Sequence, residues 1–248
     1  YNSGALLIWK LPSKPARDWS VASEVSSSYL AKLIADLPEI YQPVYAHPEL
    51  SHTVSRSCVD RLANITSVYD ALQTLLDRPL RVLDLGCAQG FFSLALAERG
   101  ASVYGIDFLD KNIEVCNALA AENPNVQVTF EVDHIQAVLQ RLEPDQYDLV
   151  LGLSVFHHIV HEHGVSIVRD LLDHAAQCVG VLITEIALRE EPLYWATSQP
   201  EDSRVLLEGF AFVHEMARHE THLSLIDRPL YVASNRYWVL DRHAGIFE

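Results

Sequence analysis

The chain has 248 residues, 49% of them hydrophobic, which is enough to bury one substantial core and suggests one or two domains. The formal net charge of −15 argues against a nucleic-acid partner, because a protein that binds a phosphate polymer normally presents a net basic face. The four cysteines form no C-x-x-C pair, which predicts reduced thiols in a cytoplasmic protein, and the apolar run at 5–9 is too short to span a bilayer.

The N-terminal part of the chain is predicted to precede the main sheet. Residues 1–28 contain prolines and a serine-rich stretch, and this composition predicts an irregular arm. Apolar residues at helical spacing predict one or two short helices over 29–45 and a second helix over 56–77. We therefore expect a single domain over 29–248 that begins with a helical lid at 29–78.

Strand-forming and helix-forming segments then alternate along the chain. The predicted strands are 81–85, 102–106, 126–132, 147–153 and 179–186, and the predicted helices between them are 90–99, 111–121, 134–142 and 164–177. Such alternation predicts a Rossmann-like α/β fold, in which a mostly parallel sheet is covered by helices on both faces. Beyond a helix near 201–217, two β-prone runs at 222–226 and 230–240 would add a C-terminal antiparallel hairpin and bring the sheet to seven strands.

The first predicted strand runs into an acidic, glycine-bearing turn, Val-Leu-Asp-Leu-Gly-Cys-Ala-Gln-Gly at 82–90. Gly86 and Gly90 allow the backbone to pass close to a ligand, while Asp84 would repel a phosphate and attract an ammonium. Asp107 closes the next strand, where an acid can accept both hydroxyls of a ribose. This pairing is typical of an S-adenosylmethionine site in a class I methyltransferase, whereas a dinucleotide site has G-x-G-x-x-G. The alternative is a generic α/β turn with an accidental acid.

Further cofactor-binding residues are predicted in the loops after the strands, because ligands of open α/β sheets lie beyond the carboxyl ends of the strands. Phe108 could cover the adenine. Asp133 and His134 occupy a place where an acid often receives the adenine amino group, although Asp133 could instead cap the next helix. The other predicted cofactor contacts are Cys87, Ala88 and Leu153.

Four of the twelve histidines lie in one run, Leu-Ser-Val-Phe-His-His-Ile-Val-His-Glu-His at 153–163. His157 and His161 could share a helical face as metal ligands, but no third ligand stands at a convincing spacing, so we predict no metal site. A histidine could instead act as a general base or bind an anion, or it could pack under the cofactor. We favour a mixture, in which His157 or His158 is functional and His161 and His163 are ordinary surface residues.

Residues that bind the methyl acceptor are expected nearer the C-terminus. Methyl transfer from a sulfonium mainly requires that the acceptor oxygen be aligned and water excluded, and a base is optional if the acceptor is already an anion. Tyr194 and Trp195 could form a wall over the acceptor, although aromatic residues there are equally often core. Arg228, Arg236 and His222 could supply positive charge to an anionic acceptor, although surface arginines are usually only solvated.

Several segments between residues 36 and 236 carry a more specific resemblance. They are Leu-Pro-Glu-Ile-Tyr-Gln (37–42), Val-Leu-Asp-Leu-Gly-Cys-Ala-Gln-Gly-Phe-Phe-Ser (82–93), Gly-Leu-Ser-Val-Phe-His-His-Ile-Val-His (152–161), Ser-Gln-Pro (198–200), and Thr-His-Leu-Ser with Arg-Pro-Leu-Tyr-Val-Ala-Ser-Asn (221–235). These segments resemble the methyltransferase domain of bacterial O-antigen chain terminators. In those bifunctional proteins a kinase phosphorylates the non-reducing end of a polymannose chain, and the methyltransferase then methylates it, which stops elongation.

The resemblance implies roles for two residues of the predicted lid. Tyr41 and Arg61 would close over the donor, with Arg61 holding the methionine carboxylate and Tyr41 joining His157 and His158 as candidate catalytic residues. A bidentate pair between arginine and a carboxylate is chemically reasonable there.

The resemblance also has limits. It leaves out residues 1–28, and the chain contains no Gly-rich ATP loop, H-R-D or D-F-G, so phosphorylation would come from a kinase partner or from a continuation of the chain.

The sequence therefore predicts a cytoplasmic, S-adenosylmethionine-dependent O-methyltransferase. Its acceptor would be the phosphorylated or unmodified terminal sugar of a bacterial surface polysaccharide, and a glycosyltransferase complex at the inner membrane could be a further partner. The alternatives are a methyltransferase that acts on a small molecule or a protein, and an inactive donor-binding module that recruits a glycan polymerase.

Overall fold

A computed structural model describes residues 22–51, 54–56 and 58–237, and one sheet of seven strands forms its centre. The strands are β1 Arg81–Leu85, β2 Ser102–Asp107, β3 Gln127–Val132, β4 Leu149–Leu153, β5 Val181–Glu185, β6 Phe212–His219 and β7 Arg228–Ser234. Their order in the sheet is β3-β2-β1-β4-β5-β7-β6. Strands β1 to β5 are parallel, whereas β7 is antiparallel to both β5 and β6. The predicted α/β fold with a C-terminal antiparallel hairpin is confirmed.

Helices pack on both faces of the sheet. They are α1 Ala22–Ala35, α2 Val59–Leu76, α3 Phe91–Glu98, α4 Asp110–Glu122, α5 Ile135–Gln140, α6 Phe156–His163 and α7 Val165–Cys178, with short 3-10 helices at Pro48–Leu50, Ala196–Ser198 and Ser203–Leu207. Successive side chains of a strand point to opposite faces. Val82 of β1 therefore packs in a core with α2 and α3, whereas Leu83 packs in a second core with α6 and α7.

The N-terminal boundary differs from the prediction. Helix α1 begins at Ala22, so the predicted irregular arm was wrong for residues 22–28. No glycine or proline interrupts the chain between this point and Pro38, and serine is only a moderately poor helix former. The helix can therefore extend beyond the apolar residues that revealed its C-terminal half. Residues 1–21 lie outside the described part of the chain.

The helix predicted near 201–217 was also wrong. A short 3-10 helix and strand β6 take its place. Most residues of β6 are only half-buried and mix apolar with charged side chains, so the sequence pattern is weak, and backbone pairing with β7 decides the conformation. The β-prone run at 230–240 forms β7 as far as Ser234, whereas its last residues, 238–240, are not described.

The other β-prone run, 222–226, forms no strand. Side chains bond to the backbone there: Ser224 N donates to Thr221 Oγ1 over 3.1 Å, and Ile226 N donates to Ser224 Oγ over 3.1 Å. Such local bonds compete with strand pairing and turn the chain. This segment is therefore the loop that joins β6 to β7.

Within these described ranges, no helix combines the length and apolar character needed to cross a membrane.

An ion-pair cluster at the amino-terminal end of the sheet yields a stability prediction. Asp148 accepts hydrogen bonds from Arg78 Nη2 at 2.7 Å and from Arg81 Nη2 at 2.9 Å. Burial opposes the charge of Asp148, but the hydrogen bonds from Arg78 and Arg81 outweigh burial and hold its pKa below the ordinary value. A carboxyl group whose pKa is lower in the folded than in the unfolded protein contributes its full stabilisation only at a pH above the unfolded pKa. The stabilisation by Asp148 is therefore present at neutral pH and is lost as the pH falls through the acid range.

Asp148→Asn is expected to lower the free energy of unfolding at pH 7 by about 1 to 2 kcal/mol, because the two arginines are partly solvated. The difference from the wild type should shrink below about pH 4. Urea denaturation of both proteins at pH 7 and pH 3 measures this, and a difference that does not change with pH would contradict the assignment.

Candidate functional site

The turn after β1 has a backbone shape that brings it close to neighbouring elements. Gly86 and Gly90 have φ values of +70° and +76°, and Ala88 between them has +48°. A Cβ added to Gly86 would lie 2.6 Å from Val155 Cγ1, so only glycine fits there. Asp84 precedes the turn, is buried, and accepts a hydrogen bond from Ser93 Oγ at 2.6 Å. Burial raises the pKa of Asp84 to about 6.

Asp107 lies at the end of β2, directly beside this turn. Its carboxylate accepts hydrogen bonds from Ala88 N at 3.0 Å, from Leu109 N at 2.9 Å and from Asn112 Nδ2 at 3.2 Å. Burial raises its pKa. A carboxylate offers about four acceptor positions, so these three bonds fix its orientation and leave room for a further donor. The structure thus brings together the two acids that the motif singled out.

Gln89 is a site residue that the sequence reasoning missed. Its Oε1 accepts hydrogen bonds from Tyr41 N at 3.1 Å and Gln42 N at 3.0 Å, while its Nε2 donates to Asn112 Oδ1 over 2.7 Å. In return Gln42 Oε1 accepts from Phe91 N, the first residue of α3, at 3.0 Å. These hydrogen bonds hold the segment before α2 against the turn after β1, and they place Tyr41 beside that turn. The signal available in the sequence was a glutamine among the small residues of the turn at 86–90.

The next loops present further residues predicted to contact the cofactor, of which Phe108, Asp133 and His134 were placed near its adenine. Phe108 is 72% exposed, and Leu153 is half-buried. Asp133 accepts a hydrogen bond from Arg141 Nη2 at 2.5 Å, which holds its pKa below the ordinary value. Exposed His134 is the N-cap of α5 and makes no side-chain cap, so the capping alternative for Asp133 was wrong. The adenine roles of Phe108, Asp133 and His134 and the cofactor contact of Leu153 remain predictions.

A buried ion-pair network lies at the carboxyl ends of β4 and β5. Glu185 is fully buried and accepts hydrogen bonds from Arg56 Nη2 at 2.5 Å, from Arg61 Nε at 2.6 Å and from Ser154 Oγ. Burial opposes the charge of Glu185, but the two arginines lower its pKa, so it is a carboxylate at neutral pH. Arg56 Nη1 also donates to Tyr41 Oη over 2.6 Å. The sequence reasoning missed Arg56, Ser154 and Glu185, which become neighbours only in the fold.

Arg61, which the resemblance assigns to the methionine carboxylate, belongs to this network. Besides its bond to Glu185, its Nη2 donates to the carbonyl of Glu220 over 2.6 Å. Its role toward the donor remains a prediction.

Arg228 extends the network from the start of β7. Its Nε and Nη2 donate to the two carboxylate oxygens of Glu191 over 2.8 and 2.6 Å, and its Nη1 donates to Ser154 Oγ over 3.2 Å. Its guanidinium carbon lies 5.7 Å from the centroid of the Trp195 ring. Arg228 is only 3% exposed, so the alternative of a solvated surface arginine was wrong. Glu191 is another residue that the sequence reasoning missed.

The histidine run forms helix α6, and its two candidate catalytic residues differ in environment. His157 is buried, whereas His158 is exposed, and their ring centroids are 4.0 Å apart. Burial lowers the pKa of His157 to about 2, and partial desolvation of the His158 ring by its neighbours, together with Arg228, lowers the pKa of His158. Both imidazoles are therefore neutral at pH 7, which suits a proton acceptor and argues against a cation that binds an anion.

The outer part of the site is formed by exposed side chains. Tyr194, 66% exposed, places its hydroxyl 3.3 Å from His158 Nδ1. His222 makes an edge contact with Tyr41 at a centroid distance of 5.7 Å. His161 and His163 face solvent. In the described part of the chain, no three His, Cys, Asp or Glu side chains are arranged to hold a metal ion.

Arg236 does not belong to the site, which corrects the sequence-based assignment to acceptor binding. It pairs with Asp145, and its Nη2 donates to the carbonyl of Gln177 over 3.1 Å. Strand β7 runs antiparallel to β5, so its start lies at the carboxyl ends of the parallel strands and its end lies at the opposite edge of the sheet. Arg228 is the first residue of β7 and Arg236 lies two residues beyond its last, so the two arginines lie at opposite ends of the strand.

Comparison with known proteins defines the class. Residues 76–191 match the model of a methyltransferase domain. With the sheet order and the turn after β1, this match shows that the chain carries a class I, S-adenosylmethionine-dependent methyltransferase domain.

A more specific similarity accompanies this match. The chain is 52% identical over 206 residues to the O-antigen chain terminator bifunctional methyltransferase/kinase WbdD of Escherichia coli, which covers 83% of this chain and 29% of that protein. A medium-resolution structure of the bifunctional kinase-methyltransferase WbdD superposes with a TM-score of 0.84 at 50% identity, covering 85% of this chain and 47% of the other. A 2.2 Å crystal structure of WbdD gives a TM-score of 0.82 at 51% identity, covering 83% and 47%. The resemblance seen in the sequence is confirmed, and the chain spans less than a third of the length of this curated relative.

Proposed function

We propose that this domain transfers a methyl group from S-adenosylmethionine to an oxygen of the non-reducing terminal sugar of a bacterial surface polysaccharide, the sugar being phosphorylated, and that this ends chain growth. The observation that carries the proposal is the 52% identity, over 83% of this chain, to a protein named as an O-antigen chain terminator. The fold alone would not identify the substrate, because proteins that share one fold act on many different substrates.

The turn after β1 fits the donor. S-adenosylmethionine supplies, when bound, a methyl group on a positively charged sulfur. We assign Asp84 to the ammonium of the methionine moiety and Asp107 to the ribose hydroxyls, and we assign the turn that holds Gly86, Cys87, Ala88 and Gly90 to contacts with the donor along its backbone. Asp107 supports this fit, because its buried carboxylate accepts three hydrogen bonds and keeps an acceptor position for a further donor.

The histidines of α6 and the residues around them would serve the acceptor. His158 is neutral and exposed, so it can accept a proton from an acceptor hydroxyl, while His157 behind it packs against Trp195 at a centroid distance of 4.6 Å. Tyr41 is held by Arg56 and can position the reacting groups. If the reacting oxygen belongs to an anion, alignment and exclusion of water are sufficient and no base is required.

The proposal requires a kinase that phosphorylates the acceptor. The curated relative and the solved structures are named as bifunctional, and they extend well beyond the part that this chain matches. We therefore propose that a kinase, attached or separate, prepares the acceptor. We also propose that the protein works in the cytoplasm beside a glycosyltransferase complex at the inner membrane.

Turnover on defined glycans tests the proposal. The protein with S-adenosylmethionine is incubated with mannose oligosaccharides that do or do not end in a phosphate, and transfer of the methyl group is followed by mass spectrometry. Methylation of the phosphorylated end alone is the expected result. Donor binding without turnover on either glycan would contradict the proposal and favour an unrelated acceptor or a recruiting module.

A further inference from the structure

Buried polar atoms without partners mark one region of the site. Among the described residues, Arg56 Nε, His157 Nδ1, Trp195 Nε1 and Gln199 Oε1 are buried and make no hydrogen bond. Gln199 Nε2 donates to the carbonyls of His157 and Trp195, each over 3.1 Å, so three of these residues are in direct contact. Unpaired buried polar atoms are costly and are uncommon in native proteins. Their concentration in one place indicates that a polar ligand completes this region.

The region is joined to Arg56 through Ser154. Ser154 Oγ receives hydrogen bonds from Arg56 Nη1 at 3.0 Å and from Arg228 Nη1 at 3.2 Å, so two guanidinium groups converge on one oxygen. Arg228 in turn lies over the Trp195 ring. Arg228 therefore contacts the Trp195 ring directly, and Arg56 is linked to Arg228 through Ser154.

The free hydrogen-bond donors of the network favour an anion. Three buried arginines, at positions 56, 61 and 228, face the buried Glu185 and Glu191 and the more exposed Asp60, which pairs with Arg61, so the charges of the network balance. The glutamates hold the arginines in place but leave N–H groups of each guanidinium free for another acceptor, because a guanidinium has five. A planar guanidinium group can donate two parallel hydrogen bonds to two oxygens of one phosphate.

Exposed side chains lie next to the enclosed atoms. His158 and Tyr194 are exposed, and His158 packs edge-on to buried Trp195 at a centroid distance of 5.4 Å. Tyr41, half-buried, contacts Arg56 from the lid side. Since the unpaired atoms themselves are enclosed, movement of these aromatic side chains would admit a ligand.

We propose that Arg56 and Arg228, with Ser154 between them and the Trp195 indole N–H beside them, form an oxyanion subsite that binds the phosphomonoester of the acceptor. The inference rests on the proposed function and adds to it. It assigns one set of residues to the binding of the anionic acceptor, whereas Asp84 and Asp107 bind the donor. Gln199 Oε1, which can only accept hydrogen bonds, suits a sugar hydroxyl of the same acceptor.

A paired replacement tests the subsite without leaving an unpaired buried charge. Arg228→Gln combined with Glu191→Gln removes one of the two guanidinium groups of the subsite together with the carboxylate that pairs with it. We expect kcat/KM on the phosphorylated mannose oligosaccharide to fall tenfold or more, mainly through KM, while the affinity for S-adenosylmethionine measured by calorimetry stays within about twofold. Arg169→Gln with Glu208→Gln, an arginine–glutamate pair on the surface at α7, is the matched control and should change neither quantity. An equal loss of donor affinity, or an unchanged KM, would overturn the proposal.

A second variant gives a change of opposite sign. Glu191→Gln alone frees Arg228 from its bidentate carboxylate, so inorganic phosphate should bind several-fold more tightly to the complex with S-adenosylhomocysteine, as measured by calorimetry. A purely structural network predicts weaker binding or none, and either result would overturn the subsite.

The phosphate measurement also separates the subsite from the proposed function. Binding of inorganic phosphate to the wild type, lost in the paired variant, supports the subsite even if no mannose glycan is methylated. Conversely, if the phosphorylated glycan is methylated but the paired variant keeps its KM, the proposed function stands and the subsite is wrong.

Discussion

Glu185→Ala is expected to lower the free energy of unfolding by about 3 to 5 kcal/mol, the scale observed when one partner of a buried ion pair is removed. Glu185 is fully buried, and it is the carboxylate that Arg56 and Arg61 share. Its removal leaves two guanidinium groups, only 6% and 3% exposed as residues, without their main counter-charge. Urea denaturation at pH 7, followed by circular dichroism, measures the change.

Two further variants test whether the destabilisation is caused by the loss of the Glu185 charge. Glu185→Gln keeps the size and one acceptor oxygen but not the charge, so it should be destabilising by less than the alanine variant. Glu208→Ala removes an exposed partner of Arg169 and should change the free energy by no more than about 0.5 kcal/mol. A Glu185→Ala protein within about 1 kcal/mol of the wild type would show that the arginines find other partners or water, contrary to the role assigned to Glu185.

The pH dependence of this stabilisation has a definite sign. The pKa of Glu185 is lowered in the fold by Arg56 and Arg61 against the effect of burial. Its contribution is therefore present above the unfolded pKa and is lost as the pH falls through the acid range. The destabilisation caused by Glu185→Ala should accordingly be larger at pH 7 than at pH 3.

The donor half of the site could be predicted because it is local in sequence. Asp84, Gly86 and Gly90 lie within one strand and one turn, and Asp107 ends the following strand. Since parallel neighbours end at the same edge of a sheet, strand prediction alone brings these residues together. The structure adds the hydrogen bond from Ala88 N to Asp107, which locks this arrangement.

The acceptor half could not be predicted in the same way, because its residues are distant in sequence. Arg56 and Glu185 are 129 positions apart, and Arg228 reaches Ser154 across 74 positions. Arg228 and Arg236 look equivalent in the sequence, and only the antiparallel direction of β7 decides that Arg228, and not Arg236, lies at the carboxyl ends of the parallel strands. The position of strand β6 was missed for a related reason, since this strand is held by pairing with β7 and has a weak sequence pattern of its own.

Asp107→Ala is expected to weaken the binding of S-adenosylmethionine by about 2 to 3 kcal/mol, the scale of losing hydrogen bonds to a charged group, which corresponds to roughly 30- to 150-fold in Kd. The proposed ribose contacts would be lost. The carboxylate also orders the turn by accepting hydrogen bonds from Ala88 N and Leu109 N, so the turn should loosen as well. Calorimetry with S-adenosylmethionine and S-adenosylhomocysteine measures the effect, and both ligands should weaken alike because they share the ribose.

Two controls separate recognition of the ribose from disorder of the turn. Asp110→Ala removes an exposed acid three residues away, at the start of α4, and should leave donor affinity unchanged. Asp107→Asn keeps one oxygen that can accept from Ala88 N, but it removes the charge and replaces an acceptor with a donor. If ribose hydroxyls are the ligand, Asp107→Asn should still weaken donor binding while its unfolding midpoint in urea stays close to that of the wild type. Donor affinity that survives in a folded Asp107→Ala protein would show that the acid only braces the turn, and the donor would then have to be recognised elsewhere along the carboxyl edge of the sheet.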